Sequence, residues 1–272
     1  MLKKIKKLIK SILRGLDYKL VKLNTRKNKV HPYSKPTLKS LKCILNSSGV
    51  LHIGAHRGTE AAVYDWLHKK VLWIEANPKI IEELDENISR HFDQRYICAL
   101  VGNENKKNID FFISNNDAAC SSVYDFSKNV KGKILWKERN FFMSEKIKLD
   151  MMTLDNIFSS NNINPQNYSH WVMDIQGAEL LALEGAKSSI KFCHSLEIEV
   201  SKEDYYDGGA KWMDIKNLLI KENFSLVKEP ETSHTEVLFI RNDHYNDILK
   251  NTIYKFKKFL NRFKKEKKIY FF

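Results

Sequence analysis

The chain is poor in cysteine. Cys43, Cys98, Cys120 and Cys193 are scattered over 272 residues with no paired spacing. That excludes a disulfide frame or a cysteine-rich zinc site and fits a reducing compartment. Long apolar runs are missing too, and none approaches the ~20 residues that span a bilayer. The N-terminus is basic, but lysines interrupt its apolar residues, so a secretory signal is not expected. No grouping of His, Asp and Glu has metal-site spacing, and no required metal is expected. There is no internal repeat.

Positive charge is scarce where an enzyme acting on nucleic acid would carry it. The formal net charge is +13, but residues 1–30 hold eleven Lys or Arg against Asp17 alone, a net +10. Residues 250–272 hold nine against Glu266 alone, a net +8, which leaves residues 31–249 at −5. A nucleic-acid enzyme more often has its basic patch on the catalytic domain. The composition, 43% hydrophobic, supplies a sizeable core. At this length one domain with appendages is expected.

Three segments follow. Residues 1–40 begin with Leu2, Ile5, Leu8, Ile9, Ile12, Leu13, Leu16 and Leu20 at helical spacing, with lysines on the other faces. This predicts a basic amphipathic helix of the kind that lies in a membrane interface, or one packed on its own domain. Pro32 and Pro36 mark a linker. Residues 41–242 form the core domain. Residues 243–272 mix Ile253, Phe256, Phe259, Leu260 and Phe263 with lysines, which suits an anionic membrane surface, single-stranded RNA or a protein partner. Two such ends on an acidic core favour the membrane. The expected location is cytoplasmic, peripheral on the inner face.

The core is organised around Val50-Leu51-His52-Ile53-Gly54-Ala55-His56-Arg57-Gly58, a short apolar run ending in two glycines before a helical pattern. This is how a first strand turns into a first helix in a nucleotide-binding α/β domain. Val71-Leu72-Trp73-Ile74-Glu75 is a second apolar run ending in an acid, at the distance where such folds set a carboxylate on a ribose diol. A dinucleotide loop would have glycine where His56 stands. The loop therefore favours S-adenosylmethionine, which has no phosphates, over NAD.

Tyr96–Val101 reads as a third strand, Ile109–Ile113 and Lys146–Met152 as alternating strands, and Ala118–Tyr124 as a loop. Asp125–Glu145 has no clear pattern. Asn77-Pro78 starts one helix and Thr153 caps another through Phe158. His170–Asp174 is a buried strand followed by a glycine turn. Ser195–Val200 is a strand with Glu197 and Glu199 on one face. Phe224–Lys228 and Glu236–Ile240 form an antiparallel closing pair. Alternating strands and helices imply a mainly parallel sheet.

Gly54-Ala55-His56-Arg57-Gly58, Trp73-Ile74-Glu75-Ala76-Asn77-Pro78, Thr153-Leu154-Asp155 and Asp174-Ile175-Gln176-Gly177-Ala178-Glu179, with Glu184-Gly185-Ala186, together resemble the FkbM-family methyltransferases over residues 50–240. The resemblance implies an α/β, class I (Rossmann-like) fold with a mainly parallel seven-stranded sheet and helices on both faces. It implies an S-adenosyl-L-methionine-dependent O-methyltransferase acting on a hydroxyl of a sugar, surface-glycan precursor or other secondary metabolite. The chain departs from the commoner pattern at His52, where many members have Asp, and at His56, where many have Asn. The Asp helps hold the amino end of the donor, so that contact is in doubt here.

Strand ends line the ligand crevice of an open α/β sheet. The expected donor-binding residues are His52, Gly54, Ala55, His56, Gly58, Glu75, Ala76 and Asp174. The expected catalytic residues are Asp174, Glu199 and His56. Ser121, Ser122 and His234 are weaker candidates. Two other readings stay open, an RNA methyltransferase and a non-catalytic module with the same fold. Against the first, Asp174 lacks the Pro-Pro-aromatic run that usually follows this acid in amino-methylating base enzymes.

Overall fold

The apolar runs become strands, and the two most apolar of them lie where both faces are covered. In the computed structural model, which describes residues 19–22, 37–250 and 268–271, Val50–Ile53 and Val71–Glu75 are buried at every position. Twelve strands occur in chain order among the described residues: β1 Lys19–Lys22, β2 Val50–Ile53, β3 Val71–Glu75, β4 Gln94–Cys98, β5 Leu100–Val101, β6 Lys106–Ser114, β7 Met143–Met152, β8 His170–Met173, β9 Ser195–Ser201, β10 Phe224–Leu226, β11 His234–Arg241 and β12 Lys268–Phe271. Seven form the main sheet, in the order β10-β11-β9-β8-β2-β3-β4. The pairs among β4, β3, β2, β8 and β9 are parallel, and β11 is antiparallel to both β9 and β10. The chain leaves β2 toward β3 on one side and returns through β8 on the other. The sheet order therefore reverses at β2, and the ligand crevice of such folds opens there.

Strand alternation sorts the sheet's residues into two sets. Leu51, Ile53, Leu72, Ile74, Trp171, Met173, Leu196, Ile198, Val237 and Phe239 pack into one apolar core. The opposite face carries Trp73, His52, Val172, Glu197 and Leu238 in one row across five strands. Continuing this register by one same-face step gives Glu75, Gly54, Asp174, Glu199 and Glu236, at the carboxyl ends of the parallel strands.

The Tyr96–Val101 run is two strands, not one. Ala99 N donates to Glu75 O, the last bond to the main sheet, and Leu100 then pairs with Met151. β5, β7 and β6 make a separate three-stranded sheet in which β6 and β7 are antiparallel. The unassigned 125–145 stretch contains the helix Val130–Glu138. Trp136 anchors it, stacked on Phe126 at 4.0 Å and donating from Nε1 to Tyr205 O.

Thr37, for which there was no expectation, is a cap whose Oγ1 accepts from Ser40 N, and the expected helix starts form, with Asn77 Oδ1 accepting from Lys79 N and Thr153 Oγ1 from Asn156 N. The first cap starts the helix Leu38–Asn46, just ahead of the expected domain start. The helix Asn242–Lys250 straddles the expected domain end, and its Ile248 packs on Cys43, Leu238 and Ile240. The basic amphipathic stretches fall outside the described residues. Of the end segments, Lys19–Lys22 pairs in parallel with Lys268–Phe271 as a two-stranded sheet, so Leu20 lies in a strand rather than in the expected helix.

Candidate active site

The first loop turns where left-handed backbone is needed. Gly54 and Gly58 have φ of 84° and 64°, and His56 adopts 47° without being glycine. A Cβ on Gly54 would collide with the carbonyl of Asp174, and one on Gly58 would come within 2.8 Å of Leu84 Cδ1. The loop borders a cleft of about 690 Å³ that reaches from His52 and Gly54 past Glu75 to Asp174 and Gln176. Leu100, Val101 and Phe111 give it apolar lining, and Ala55, His56, Gly58 and Ala76 border it as well.

Glu75 is buried at the end of β3. Its Oε2 accepts from His56 N at 2.7 Å and its Oε1 from Asn77 N at 2.8 Å. Burial raises its carboxyl above the ordinary value against the lowering by these N–H groups. A carboxylate offers about four lone-pair sites, so it can brace the loop and still accept from a diol hydroxyl. The cleft has the size of a small-molecule site, and with this carboxylate it fits an adenosyl donor.

His52 borders the cleft but belongs to the core. Its ring stacks on Trp73 at 4.6 Å, and Nδ1 lies 3.2 Å from the Tyr64 hydroxyl. Burial pushes its pKa down to about 3, so it is neutral. His56 lies at the cleft rim with Nε2 2.8 Å from Asp117 O and 2.8 Å from Arg57 Nη1. Burial lowers its pKa as well. Arg57 forms a bidentate pair with Asp117, both bonds 2.8 Å, and donates from Nε to Glu83. This clamp ties the first loop to the β6 hairpin loop, where Asp117 and Ala118 both have positive φ.

Asp174 follows β8, and its main chain donates to Ile53 O. It does not cap the next helix. Glu179, the first residue of that helix, braces the turn before it, accepting from Ile175 N and Gly177 N, and burial raises its carboxyl to about 8. Asp174 Oδ1 instead accepts from Gln176 Nε2 at 2.5 Å. The same amide donates to Glu199 Oε2 at 2.8 Å, while Tyr206 donates its hydroxyl to Gln176 Oε1 at 2.6 Å. Gln176 adopts φ of 56°, and Ser122 Oγ donates to its carbonyl. Burial, followed by the charge of Glu199, raises the Asp174 carboxyl well above the usual carboxylate range. Glu199 Oε1 meets His234 Nε2 at 2.9 Å.

The fold thus gathers Gly54, Glu75, Asp174 and Glu199 at one edge of the sheet, with His56 at the rim. Ser121 and Ser122 are engaged in loop hydrogen bonds to Ala118 O and Gln176 O. Glu197 lies one row below the site, accepting from Ser40 Oγ at 2.8 Å, and burial raises its pKa to about 7. Arg57, Asp117, Gln176 and Tyr206 were not singled out by the sequence. Arg57 and Gln176 had a local signal, as residues inside the Gly54–Gly58 loop and the Asp-Ile-Gln-Gly turn; Asp117 and Tyr206 had none.

The family model described as "Methyltransferase FkbM domain" matches residues 52–269. No curated protein sequence matches the chain. Among solved structures it is similar to magnesium protoporphyrin IX methyltransferase of Synechocystis PCC 6803 with bound SAH. The identity is 10%, covering 73% of this chain and 76% of that one, with a TM-score of 0.40. It is also similar to a SAM-dependent methyltransferase of Aquifex aeolicus, at 12% identity over 75% and 88% of the two chains and a TM-score of 0.38. For Aeropyrum pernix fibrillarin with natively bound S-adenosyl-L-methionine, the identity is 8% over 72% and 68%, and the TM-score is 0.37. The family assignment rests on the sequence match, which spans most of the chain: this protein belongs to the FkbM family of class I, S-adenosylmethionine-dependent methyltransferases.

Proposed function

We propose that the protein transfers a methyl group to a hydroxyl oxygen, on a sugar or a surface-glycan precursor. The observation that carries this reading is the carboxyl of Asp174. It lies half-buried on the donor cleft, and no N–H of the following helix uses it as a cap. A hydroxyl acceptor must lose its proton as the new bond forms, and a carboxylate of raised basicity suits that task. The donor supplies an activated methyl on a sulfonium. The residues have to align the acceptor oxygen and take its proton.

In this reading Glu75 holds the ribose diol through its free lone pairs. About 10 Å, two strand spacings, separates it from Asp174 along the row. Gly54 lies between them and leaves the room that a side chain would fill. Gln176 holds Asp174 and Glu199 side by side, and Asp174 takes the proton. His56 touches donor or acceptor at the rim. The basic ends, residues 1–24 and 250–272, hold the enzyme on an anionic membrane surface, each basic residue near it contributing about 1 kcal/mol. A chain without both ends should bind donor and fail to sediment with anionic liposomes. Sedimentation equal to that of the full chain would remove the membrane from the reading.

The test of the acceptor is transfer of labelled methyl from S-adenosylmethionine to extracted surface glycans of the source cell, followed by mass spectrometry. The expected result is a methyl ether on a sugar oxygen. Label found in RNA and absent from glycans would overturn it.

A further inference from the structure

His234 stands outside the donor cleft, and the reaction as described does not use it. It opens β11 and pairs with Ser201 at the end of β9. Nε2 donates to Glu199 Oε1 at 2.9 Å, and Nδ1 lies 2.7 Å from Ser201 Oγ. The other oxygen of Glu199 is held by Gln176, whose amide also holds Asp174. The four side chains form one connected line from the half-exposed imidazole to the Asp174 carboxyl on the cleft. Tyr206 fixes the Gln176 amide so that its NH₂ faces both acids.

We propose that His234 is a positioning residue for methyl transfer: its imidazolium anchors Glu199 as an anion against Asp174, so that the acid pair has room for one proton, that of the acceptor hydroxyl. This rests on the reading of Asp174 as proton acceptor. As the oxygen–methyl bond forms, the sulfur–methyl bond breaks and its electron pair stays on sulfur, giving a neutral thioether. The hydroxyl proton passes to Asp174 and is shared with Glu199. Without the cation, the charge of Glu199 would hold a proton on Asp174 and leave it a poorer sink for the substrate's.

The surroundings of His234 support a charged imidazole. Burial opposes protonation, but the hydrogen bond and charge of Glu199, with Glu179 behind it, outweigh burial and raise its pKa above the ordinary value. Arg139 opposes this with its own positive charge. The Tyr205 ring packs edge-on at 5.6 Å, and Glu203 lines the same small recess. Glu236, two residues along β11, lies across from Glu199.

The test uses the full chain without acceptor, labelled at the carboxyl carbons of Asp and Glu. Asp174→Asn and Glu199→Gln assign the two resonances, which are followed by NMR against pH. His234→Gln keeps a donor for Glu199 and removes the cation. It should move the titration of Asp174 upward by about one pH unit, the low end of what a neighbouring opposite charge does. In Glu199→Gln the His234 ring should titrate at lower pH than in the native chain. An unmoved carboxyl titration in His234→Gln, or an unmoved ring titration in Glu199→Gln, overturns the proposal. If both shifts appear and Asp174→Asn still turns over, the coupling stands and the assignment of the base fails.

Discussion

The two faces of the main sheet are built from the same seven strands and do opposite work. One is apolar from Leu51 to Phe239 and holds the two halves of the sheet on one core. The other buries His52 and His170 and holds Glu197 half-buried beneath the row that carries Glu75, Asp174 and Glu199. Burial drives His52 and His170 down to about 3 and Glu197 up to about 7, so the histidines stay neutral at physiological pH. His170 Nδ1 bonds Ser195 Oγ, while its Nε2 lies 4.0 Å from Glu197. Strand alternation lets one chain keep both: every second residue packs the larger dry core, while the residues between form a smaller apolar cluster at Val50, Val71 and Trp73 and carry the polar groups toward the cleft.

The comparison can be broken first at Asp174. Asp174→Asn keeps the shape and removes the base. Turnover should fall about 10²–10⁴-fold, with donor affinity and Tm nearly unchanged. A collapse of Tm would make Asp174 a structural residue of its face, and a fall below about tenfold would exclude it as the base. In the native enzyme the base must be deprotonated to act. Its pKa is raised, so turnover should be lost as pH falls through a value well above the ordinary carboxylate range. A limb at the ordinary value would detach turnover from this buried carboxyl.

The apolar face should answer in the opposite way. Phe239→Ala should cost about 3–5 kcal/mol in denaturant unfolding, while the fraction that stays folded keeps its donor affinity. A donor affinity that drops in proportion to stability would merge the two faces into one system.

Glu75→Ala should weaken donor binding by about 1.5–3 kcal/mol in titration calorimetry and leave unfolding less affected. Unchanged affinity in a folded variant would put the ribose elsewhere. The smallest effect is expected at the rim. Arg57→Ala opens the clamp on Asp117, an exposed pair worth about 0.2–1 kcal/mol. Tm should barely move, while donor dissociation in stopped flow should quicken. An unchanged dissociation rate would leave the clamp without a role in holding the donor.

Much of this was legible because the signals are local. The glycine pair at Gly54 and Gly58, the acid ending β3 and the turn after Asp174 each announce a strand end within a few residues. The register then carries Glu75, Gly54, Asp174 and Glu199 onto one line. The split at Ala99 was not legible, because an unbroken apolar run from Tyr96 to Val101 hides the residue where the backbone changes sheets. The His234–Glu199 contact depends on how β11 pairs with β9, and no local pattern encodes that pairing. The Arg57–Asp117 clamp spans 60 positions and is carried by the inserted three-stranded sheet. His52 borders the cleft, and its packing on Trp73 and Tyr64 comes from the register of β2 with β3, which no local pattern shows.

Gly54 has a mechanical consequence. The carbonyl of Asp174 occupies the place where residue 54 would carry a side chain, and Asp174 N donates to Ile53 O beside it. The turn that borders the donor cleft and the turn that presents the proposed base are therefore seated on each other, with no compliant layer between them. A thermal excursion of one is transmitted to the other, so donor and base keep their alignment while the protein around them fluctuates. The same seating leaves no slack: an added methyl at residue 54 would be felt at Asp174 as a displacement of the base.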